Sequence, residues 1–299
     1  MIVDKDLITQ RLQALQDRIC LGLEGLDKEG KFREDKWDRP GGGGGRTRII
    51  MGQHIEKGGV NFSGVQGDMP EKIYKALGIG PCKFFATGVS IVLHPRNPHV
   101  PIIHMNVRYF QTDKDLWWFG GGIDLTPHYI DPKLAINFHR QLKDVCDAAD
   151  PLYYPEFKKW ADDYFYVKHR KETRGIGGIF FDRLNAERTT KAAGLDYILA
   201  VGDSFLPIYT EQFLPNHERA YTEQEKEWQL HRRGRYVEFN LVWDRGTKFG
   251  LDTDGNIESI LMSLPPETRW TYKYQAGTRE QETLDQLKKG IDWVNHTAV

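Results

Sequence analysis

Residues 87–110 read TGVSIVLHPRNPHVPIIHMNVRYF and contain two runs in which apolar and polar side chains alternate. The runs are 89–94 and 103–109, and the short segment 95–101 links them. A period of two predicts β-strands, because successive side chains of a strand point to opposite faces. The short link makes the two strands plausible antiparallel neighbours.

The polar positions of each run share one face of its strand. His104, Asn106 and Arg108 lie together on the second strand, and Ser90 and His94 lie together on the first. The guanidinium fork of Arg108 beside an amide is suited to binding a carboxylate, although a cross-strand ion pair would explain Arg108 equally. His104 is a candidate proton donor, because the ordinary pKa of a histidine, about 6.5, suits proton transfer near neutrality.

Helical and strand patterns follow each other irregularly along the rest of the chain. The spacing predicts helices over 8–19, from Pro132 with Asp131 as its cap, from Pro155 to Gly175, over 195–213 and 220–231, and at 284–294. It predicts further strands over 236–243, 257–263 and 269–274. This order favours an α+β fold with a largely antiparallel sheet over a doubly wound parallel sheet.

Composition excludes several classes of protein. The chain has 299 residues, with 41 Lys and Arg against 42 Asp and Glu, which is too balanced for a protein that neutralises many phosphates, so we expect no nucleic-acid partner. Its 3 cysteines are far apart, which argues against a disulfide framework and a cysteine zinc site. No apolar run is long enough for a membrane span, and the first residues do not resemble a secretory signal. We expect a cytoplasmic protein.

The common cofactor motifs are missing: there is no G-x-G-x-x-G, G-x-x-x-x-G-K-[ST], H-E-x-x-H or G-x-S-x-G. The glycine run 41–45 before Arg46 and Arg48 could hold an anion or form a mobile loop. The aromatic run 117–119 could wall a flat ligand or belong to the core. Residues 244–247, DRGT, could form a hairpin turn or bind a ligand through Asp244 and Arg245.

Histidines on two strands and two predicted helices could together bind a divalent metal as neutral imidazoles. They are His94, His104, His139 and His169. Taken singly, each is equally consistent with a hydrogen-bonded structural residue or a surface group.

Several stretches together resemble the oxygen-dependent coproporphyrinogen III oxidase family. They are GGGGGRTR (41–48), GVNFS (59–63), GVS (88–90), HPRNP (94–98), WWFGGG (117–122) with DLTP (124–127), DDYF (162–165), RGIGG (174–178), RRGRYVEFN (232–240) and DRGT (244–247). The resemblance covers roughly residues 12–295, so it concerns the whole chain. It therefore implies a single domain over residues 1–299.

The resemblance implies a fold and a reaction. The fold would be a large, flat, mainly antiparallel sheet covered on both faces by helices, in a homodimer with residues 236–271 as the dimerisation region. The reaction would be oxidative decarboxylation of two propionates of coproporphyrinogen III to vinyl groups, giving protoporphyrinogen IX in haem biosynthesis. O2 would be the oxidant, and CO2 and H2O2 would be released. No organic cofactor is expected, because an electron-rich pyrrole can react with O2 once a base loosens its N–H; a divalent metal remains open.

The resemblance also implies roles for individual residues. Ser90, Asn106, Val107 and Arg108 match substrate-contacting positions, and Gly255 matches a glycine of a turn that contacts substrate. His104 matches a proton donor, and Asp244 and Arg245 match a pair that holds pyrrole nitrogens and a propionate. His94, His104, His139 and His169 match proposed metal ligands.

The turn at Gly255 departs from the family pattern, because relatives often carry Gly-Gly-Arg where this chain reads Asp254-Gly255-Asn256. A cation is missing there, so carboxylate binding should depend more on Arg108 and Arg245. Two other functions remain open. A non-haem metalloenzyme would lose turnover on chelation, and a non-catalytic tetrapyrrole carrier would bind the substrate without consuming O2.

Overall fold

The two alternating runs form adjacent antiparallel strands at the centre of a sheet. The computed structural model describes residues 3–252 and 255–297. Over these residues the strands are β1 (Arg33–Asp38), β2 (Gly43–Ile50), β3 (Ile55–Asp68), β4 (Lys83–Pro95), β5 (Ile102–Thr112), β6 (Trp117–Thr126), β7 (Tyr166–Val167), β8 (Glu172–Thr173) and β9 (Gly177–Leu184). The main sheet has 7 strands in the order β1-β2-β3-β4-β5-β6-β9, and every neighbouring pair is antiparallel.

Helices cover this sheet. Over the same residues they are α1 (Lys5–Asp27), α2 (Glu71–Ala76), α3 (Pro132–Asp147), α4 (Tyr153–Tyr164), α5 (Lys191–Phe213), α6 (Glu223–Val242), α7 (Arg245–Asp252), α8 (Ile257–Leu261) and α9 (Thr278–Gln286). The predicted α+β class with a large antiparallel sheet is therefore confirmed. None of the helices in the described part of the chain has the length and apolarity needed to cross a bilayer.

One face of the sheet is apolar and carries the main core. Val89, Ile91, Met105 and Val107 are fully buried there, together with apolar residues of α1, α3, α4 and α5. α1 shows how local sequence leads to this packing. The Asp4 side chain accepts from the N–H groups of residues 6 and 7 and caps the helix, whose apolar stripe then faces the core.

The opposite face is polar and is covered by α6 and α8. Tyr236 of α6 packs on Val92 and Ile102. Asn61 of β3 donates to the carbonyl of Ser259, and the Thr47 hydroxyl of β2 lies 2.8 Å from that of Ser259. This face is held by hydrogen bonds more than by apolar contact.

The prediction that a helix stops before Gly234 and a strand begins at Tyr236 is wrong. α6 runs unbroken through both positions, and Tyr236, Phe239 and Asn240 share its buried face at helical spacing. The apolar alternation at 237, 239, 241 and 243 imitated a strand, whereas Leu241 is 47% exposed. Position 234 requires a glycine, because the backbone carbonyl oxygen of Arg269 lies only 2.8 Å from where a Cβ would stand.

Four other predictions at the C-terminal end and near His169 are also wrong. Residues 257–261 are helical, because the Asn256 side chain caps α8 by accepting from the Ser259 N–H, and residues 269–274 form no strand. α9 ends at Gln286, so the predicted helix over 284–294 is mostly non-helical. α4 ends at Tyr164, so His169 lies in the turn between β7 and β8 and not on a helix.

Candidate active site

Polar side chains from two central strands meet on the α6 side of the sheet. Ser90 lies opposite Asn106 in the register, and His104 and Arg108 flank Asn106 on the same strand. All are partly exposed, and alternation puts their side chains on one face. The structure therefore brings these sequence-predicted residues together.

Arg108 extends across a strip of the sheet that has no side chains. Its guanidinium donates to the Asn106 side chain at 2.8 Å and to the Asp182 carboxylate at 3.0 Å. A Cβ on Gly120 would stand 2.9 Å from Arg108 nitrogens and 2.7 Å from an Asp182 oxygen, so a larger residue there would displace these two side chains. The Arg108 side chain keeps 34% of its surface exposed, which leaves N–H groups available for a carboxylate ligand.

His104 is oriented by a buried acid. Its Nδ1 lies 2.8 Å from Asp124, which stands directly opposite in the register of β6 and is 1% exposed. Since the carboxylate accepts the Nδ1 proton, Nε2 is the ring atom left to exchange a proton. No partner for Nε2 is found among the described residues.

Arg174 keeps Asp124 ionised. Its guanidinium bonds both carboxylate oxygens, at 2.7 and 2.8 Å. Burial alone would raise the pKa of Asp124, but the Arg174 charge and the His104 hydrogen bond outweigh it and lower that pKa. The buried pair therefore holds a fixed negative charge behind His104.

Aromatic rings enclose Arg174 itself. Its guanidinium carbon lies 4.4 Å from the ring centre of Phe165 and 4.7 Å from those of Tyr236 and Phe239. The Asn240 side chain accepts a further hydrogen bond from it at 2.9 Å. Because Tyr236, Phe239 and Asn240 belong to α6, this cation–π cage also anchors α6 to the sheet.

Asp244 stands at the junction of α6 and α7. One carboxylate oxygen accepts from the Tyr164 hydroxyl at 2.7 Å, and the other accepts from the backbone N–H and hydroxyl of Thr247 at 2.7 and 2.8 Å. The alternative of a hairpin turn at 244–247 is therefore wrong, because Asp244 caps a helix. Arg245 is exposed, and its side chain forms no ion pair with another described residue.

Stacked rings connect this corner to the sheet. Tyr164 stacks on Phe180 with ring centres 4.0 Å apart, and the Arg108 guanidinium lies 6.0 Å from the Phe180 ring. Burial, and next the negative charge of Asp244, raise the pKa of the Tyr164 phenol, so it remains a donor. The Arg108 face and the Asp244 corner thus lie on the same side of the sheet.

The aromatic run 117–119 divides between two environments. Phe119 is fully buried in the core, whereas Trp118 lies on the polar face and stacks on Phe110 with ring centres 4.2 Å apart. Phe110 stacks in turn on Phe84 at 6.0 Å. A flat aromatic surface therefore continues along the polar face from Arg108.

Two other sequence-predicted contact residues have different surroundings. Val107 is fully buried on the apolar face, so its side chain does not line the polar face. Gly255 lies between α7 and α8, where its N–H donates to the carbonyl of Gly250. Asp254 lies outside the described residues.

The four candidate metal histidines do not converge, and they do not form a set fitted to one ion. His94 and His139 are fully buried, and burial lowers the pKa of each to about 3. His94 Nε2 meets the Ser263 carbonyl, and both nitrogens of His139 are occupied, by Tyr154 and Ile176. His169 lies on the surface between Glu238 and Trp243. Only His104 lies with the site residues described above.

The cations beside the glycine run are already paired. Arg46 pairs with Asp17, and Arg48 pairs with Asp17 and Glu34. Residues 43–45 of the run are the first residues of β2, so this part of it is a strand and not a loop. Two cavities of about 340 and 660 Å³ are lined by other residues, whereas Ser90, Asn106 and Arg108 of the candidate site are partly exposed.

Sequence reasoning assigned no role to Asp124, Arg174 or Tyr164, although all three lie in stretches that carry the family resemblance. The available signal was Asp124 itself, a charged residue in the otherwise apolar run 123–125. Its partner could not be named, because that depends on the β5–β6 register.

Comparison with known proteins agrees with the earlier resemblance. The profile of a family described as coproporphyrinogen III oxidase matches residues 7–293. Coproporphyrinogen-III oxidase 1, chloroplastic, of Arabidopsis thaliana is 48% identical over 301 residues, which cover 95% of this chain and 78% of that protein.

Cyanobacterial relatives match as extensively. The oxygen-dependent coproporphyrinogen-III oxidase of Synechococcus sp. (strain CC9902) is 45% identical over 97% of this chain and 88% of its own length. That of Parasynechococcus marenigrum (strain WH8102) is 46% identical over 96% of this chain and 87% of its own. The chain belongs to the coproporphyrinogen III oxidase family.

Proposed function

We propose that the protein is an oxygen-dependent coproporphyrinogen III oxidase that converts two propionates of its substrate to vinyl groups. For each propionate, R–CH2–CH2–COO⁻ plus O2 and H⁺ gives R–CH=CH2, CO2 and H2O2. The side chain loses CO2 and two electrons, and O2 takes up the electrons. The names of the relatives and the family match support this activity.

The observation that carries the proposal is that Arg108, the oriented His104 and the Asp244–Arg245 corner lie on the same side of the sheet. A porphyrinogen is an apolar ring with four carboxylates, so its binding site needs aromatic surface beside cations. The stack of Trp118 on Phe110 offers that surface, and Arg108 and Arg245 offer the cations. Ser90 and Asn106 add polar groups beside Arg108.

Asp244 is assigned to the pyrrole nitrogens. Three donors hold its carboxylate in place, and this carboxylate would hold a pyrrole N–H and stabilise positive charge as the ring is oxidised. Nε2 of His104 is assigned to proton transfer, because Asp124 fixes its Nδ1 proton. No step is assigned to a metal, since the four candidate histidines do not meet.

The activity is tested by supplying coproporphyrinogen III in air and measuring protoporphyrin fluorescence after oxidation of the product. An Asp244→Ala enzyme should lose turnover number more than substrate affinity. Thr247→Ala is the matched control, because it removes a hydrogen-bond donor to Asp244 but keeps the carboxylate. Asp244→Ala with unchanged turnover would refute the role of Asp244.

The same assay separates the two other functions. A tetrapyrrole carrier would bind substrate without consuming O2, and a metalloenzyme would lose turnover after exhaustive chelation. Undiminished turnover in chelator, with one O2 consumed per CO2 released, is the result we expect.

We also propose a homodimer formed through residues 236–271. Apolar side chains in this region are exposed in the single chain: Val242 by 45%, Ile257 by 59% and Trp270 by 54%. Light scattering should give the mass of a dimer, and Ile257→Arg should shift it toward the monomer. A cytoplasmic location remains a prediction; its support is that Cys20, Cys82 and Cys146 are unpaired, whereas the relative from Arabidopsis thaliana is named chloroplastic.

A further inference from the structure

His54, His217 and Glu218 form a group of possible metal ligands that shares no residue with the candidate active site. One ligand atom from each lies within 4.8 Å of the others. In the part of the chain that the structure describes, no other three His, Cys, Asp or Glu side chains meet this closely. We propose that this group binds a first-row divalent transition metal such as Zn²⁺, which is a property separate from the oxidase activity.

The chemistry of the group suits such an ion. Two imidazoles and one carboxylate are a common ligand set for zinc, with water at the remaining position. Metal bonds of about 2.0–2.2 Å would require the ligand atoms to move closer together. Glu218 can make this adjustment, because 71% of its side chain is exposed.

His217 already has the tautomer that a metal needs. Its Nδ1 lies 3.1 Å from the carbonyl oxygen of Leu214, which can only accept, so Nδ1 carries the proton. Nε2 therefore has a free lone pair, and it lies 3.7 Å from the Glu218 carboxylate. Metal-binding histidines usually donate their second N–H to such a carbonyl or carboxylate.

The backbone at His54 is held by a buried acid. Asp27, which is fully buried, accepts the N–H of His54 at 2.9 Å and also those of Gly30, Gln53 and Ile55. The His54 ring packs at 75° to the His217 ring with centres 4.7 Å apart. Neither of its ring nitrogens has a hydrogen-bond partner within residues 3–252 and 255–297.

The backbone at His217 is held as well. The buried Asn97 side chain donates to the carbonyls of His217 and Arg219, at 3.3 and 2.7 Å. The His217 N–H donates to the carbonyl of Phe213, the last residue of α5. The carboxyl end of a helix carries partial negative charge, which favours a cation there.

A positive charge also lies near the group, because Arg96 is on the segment next to His54. Its guanidinium is bound to the carbonyls of Gly52 and Gln53. A metal at this group would connect the segment that precedes β3 to the end of α5.

Titration calorimetry of the full-length protein with Zn²⁺ tests the proposal. We expect one Zn²⁺ per chain, binding weakened by more than about 100-fold in His54→Ala and His217→Ala, and by roughly 10-fold in Glu218→Gln. His296→Ala is the control, because it removes an exposed histidine outside the group and should bind Zn²⁺ as the wild type does. Zn²⁺ should also raise the melting temperature of the wild type but not that of His217→Ala.

Two results would overturn the proposal. One is the absence of Zn²⁺ binding by the wild type at micromolar concentration. The other is binding that persists in the His54→Ala/His217→Ala double variant, which would place the ion elsewhere. Glu218→Gln keeps the test valid if a histidine variant fails to fold, because an exposed side chain contributes little to stability.

Discussion

The two faces of the β4–β5 pair are made of alternating residues of the same strands, yet they are held by different forces. On one face Ile91 and Val107 are fully buried in the apolar core. On the other, Ser90 and Arg108 remain partly exposed, and the Arg108 guanidinium is held by hydrogen bonds to Asn106 and Asp182. The first face gains stability from removing apolar surface from water, whereas the second depends on matched charges.

The comparison explains why chemistry is confined to one face. A side chain that must bind a carboxylate or move a proton needs some solvent access and unsatisfied hydrogen-bonding capacity. The apolar face offers neither, and its close packing provides the rigid support on which His104 and Arg108 are held.

Replacement of His104 should produce the largest effect. His104→Ala should lower turnover by about 10²–10⁴-fold, because the proposed proton-transfer group is lost. Steady-state kinetics of protoporphyrinogen formation measure it, with the folded fraction checked by circular dichroism. Turnover within about threefold of wild type would show that the polar face does not use this imidazole in proton transfer.

Replacement of Arg174 should destabilise the polar face strongly. Arg174→Met leaves the Asp124 charge buried with His104 as its remaining partner, which should cost about 3–5 kcal/mol of unfolding free energy. Arg188→Met is the matched control, since its bidentate pair with Glu156 is solvent-exposed, and it should cost at most about 1 kcal/mol. Equal losses in urea unfolding would contradict the importance of the buried pair.

Neighbouring residues on β4 compare the faces directly. Ile91→Ala should cost about 2–4 kcal/mol of unfolding free energy, because it opens a cavity in the core. Ser90→Ala should change stability by less than about 0.5 kcal/mol and instead raise the KM for the substrate. Denaturation should therefore detect the Ile91 variant, and steady-state kinetics should detect the Ser90 variant. A stability loss in Ser90→Ala as large as that in Ile91→Ala would contradict the difference between the two faces.

The smallest expected effect concerns the stability at acidic pH of α6, the helix that covers the polar face. Burial opposes ionisation of Glu238, but hydrogen bonds from Arg170 and His169 outweigh it and lower its pKa from 4.5 to about 2. Its stabilisation is therefore complete above its unfolded pKa and is lost as pH falls from about 4.5 toward 2. Melting temperatures over this range should fall less steeply for Glu238→Gln than for wild type; parallel curves would exclude Glu238 as the cause.

Local patterns were sufficient for some features of the protein. Alternation over 87–110 established two strands and divided their residues between a polar and an apolar face, because strand geometry depends only on the backbone. The apolar stripe of α1 and the Asp131-Pro132 start of α3 were equally readable, since helical periodicity and capping involve residues close in sequence. These patterns established the face on which the site lies.

Only the tertiary structure decided the rest. Residues 236–243 alternate like a strand, but 236–242 are helical, because Tyr236, Phe239 and Asn240 then surround a buried cation. The pairing of His104 with Asp124, and the meeting of His54 with His217, join residues far apart in sequence. Strand register and helix packing determine such contacts, and they depend on the energy of the whole fold rather than on any local pattern.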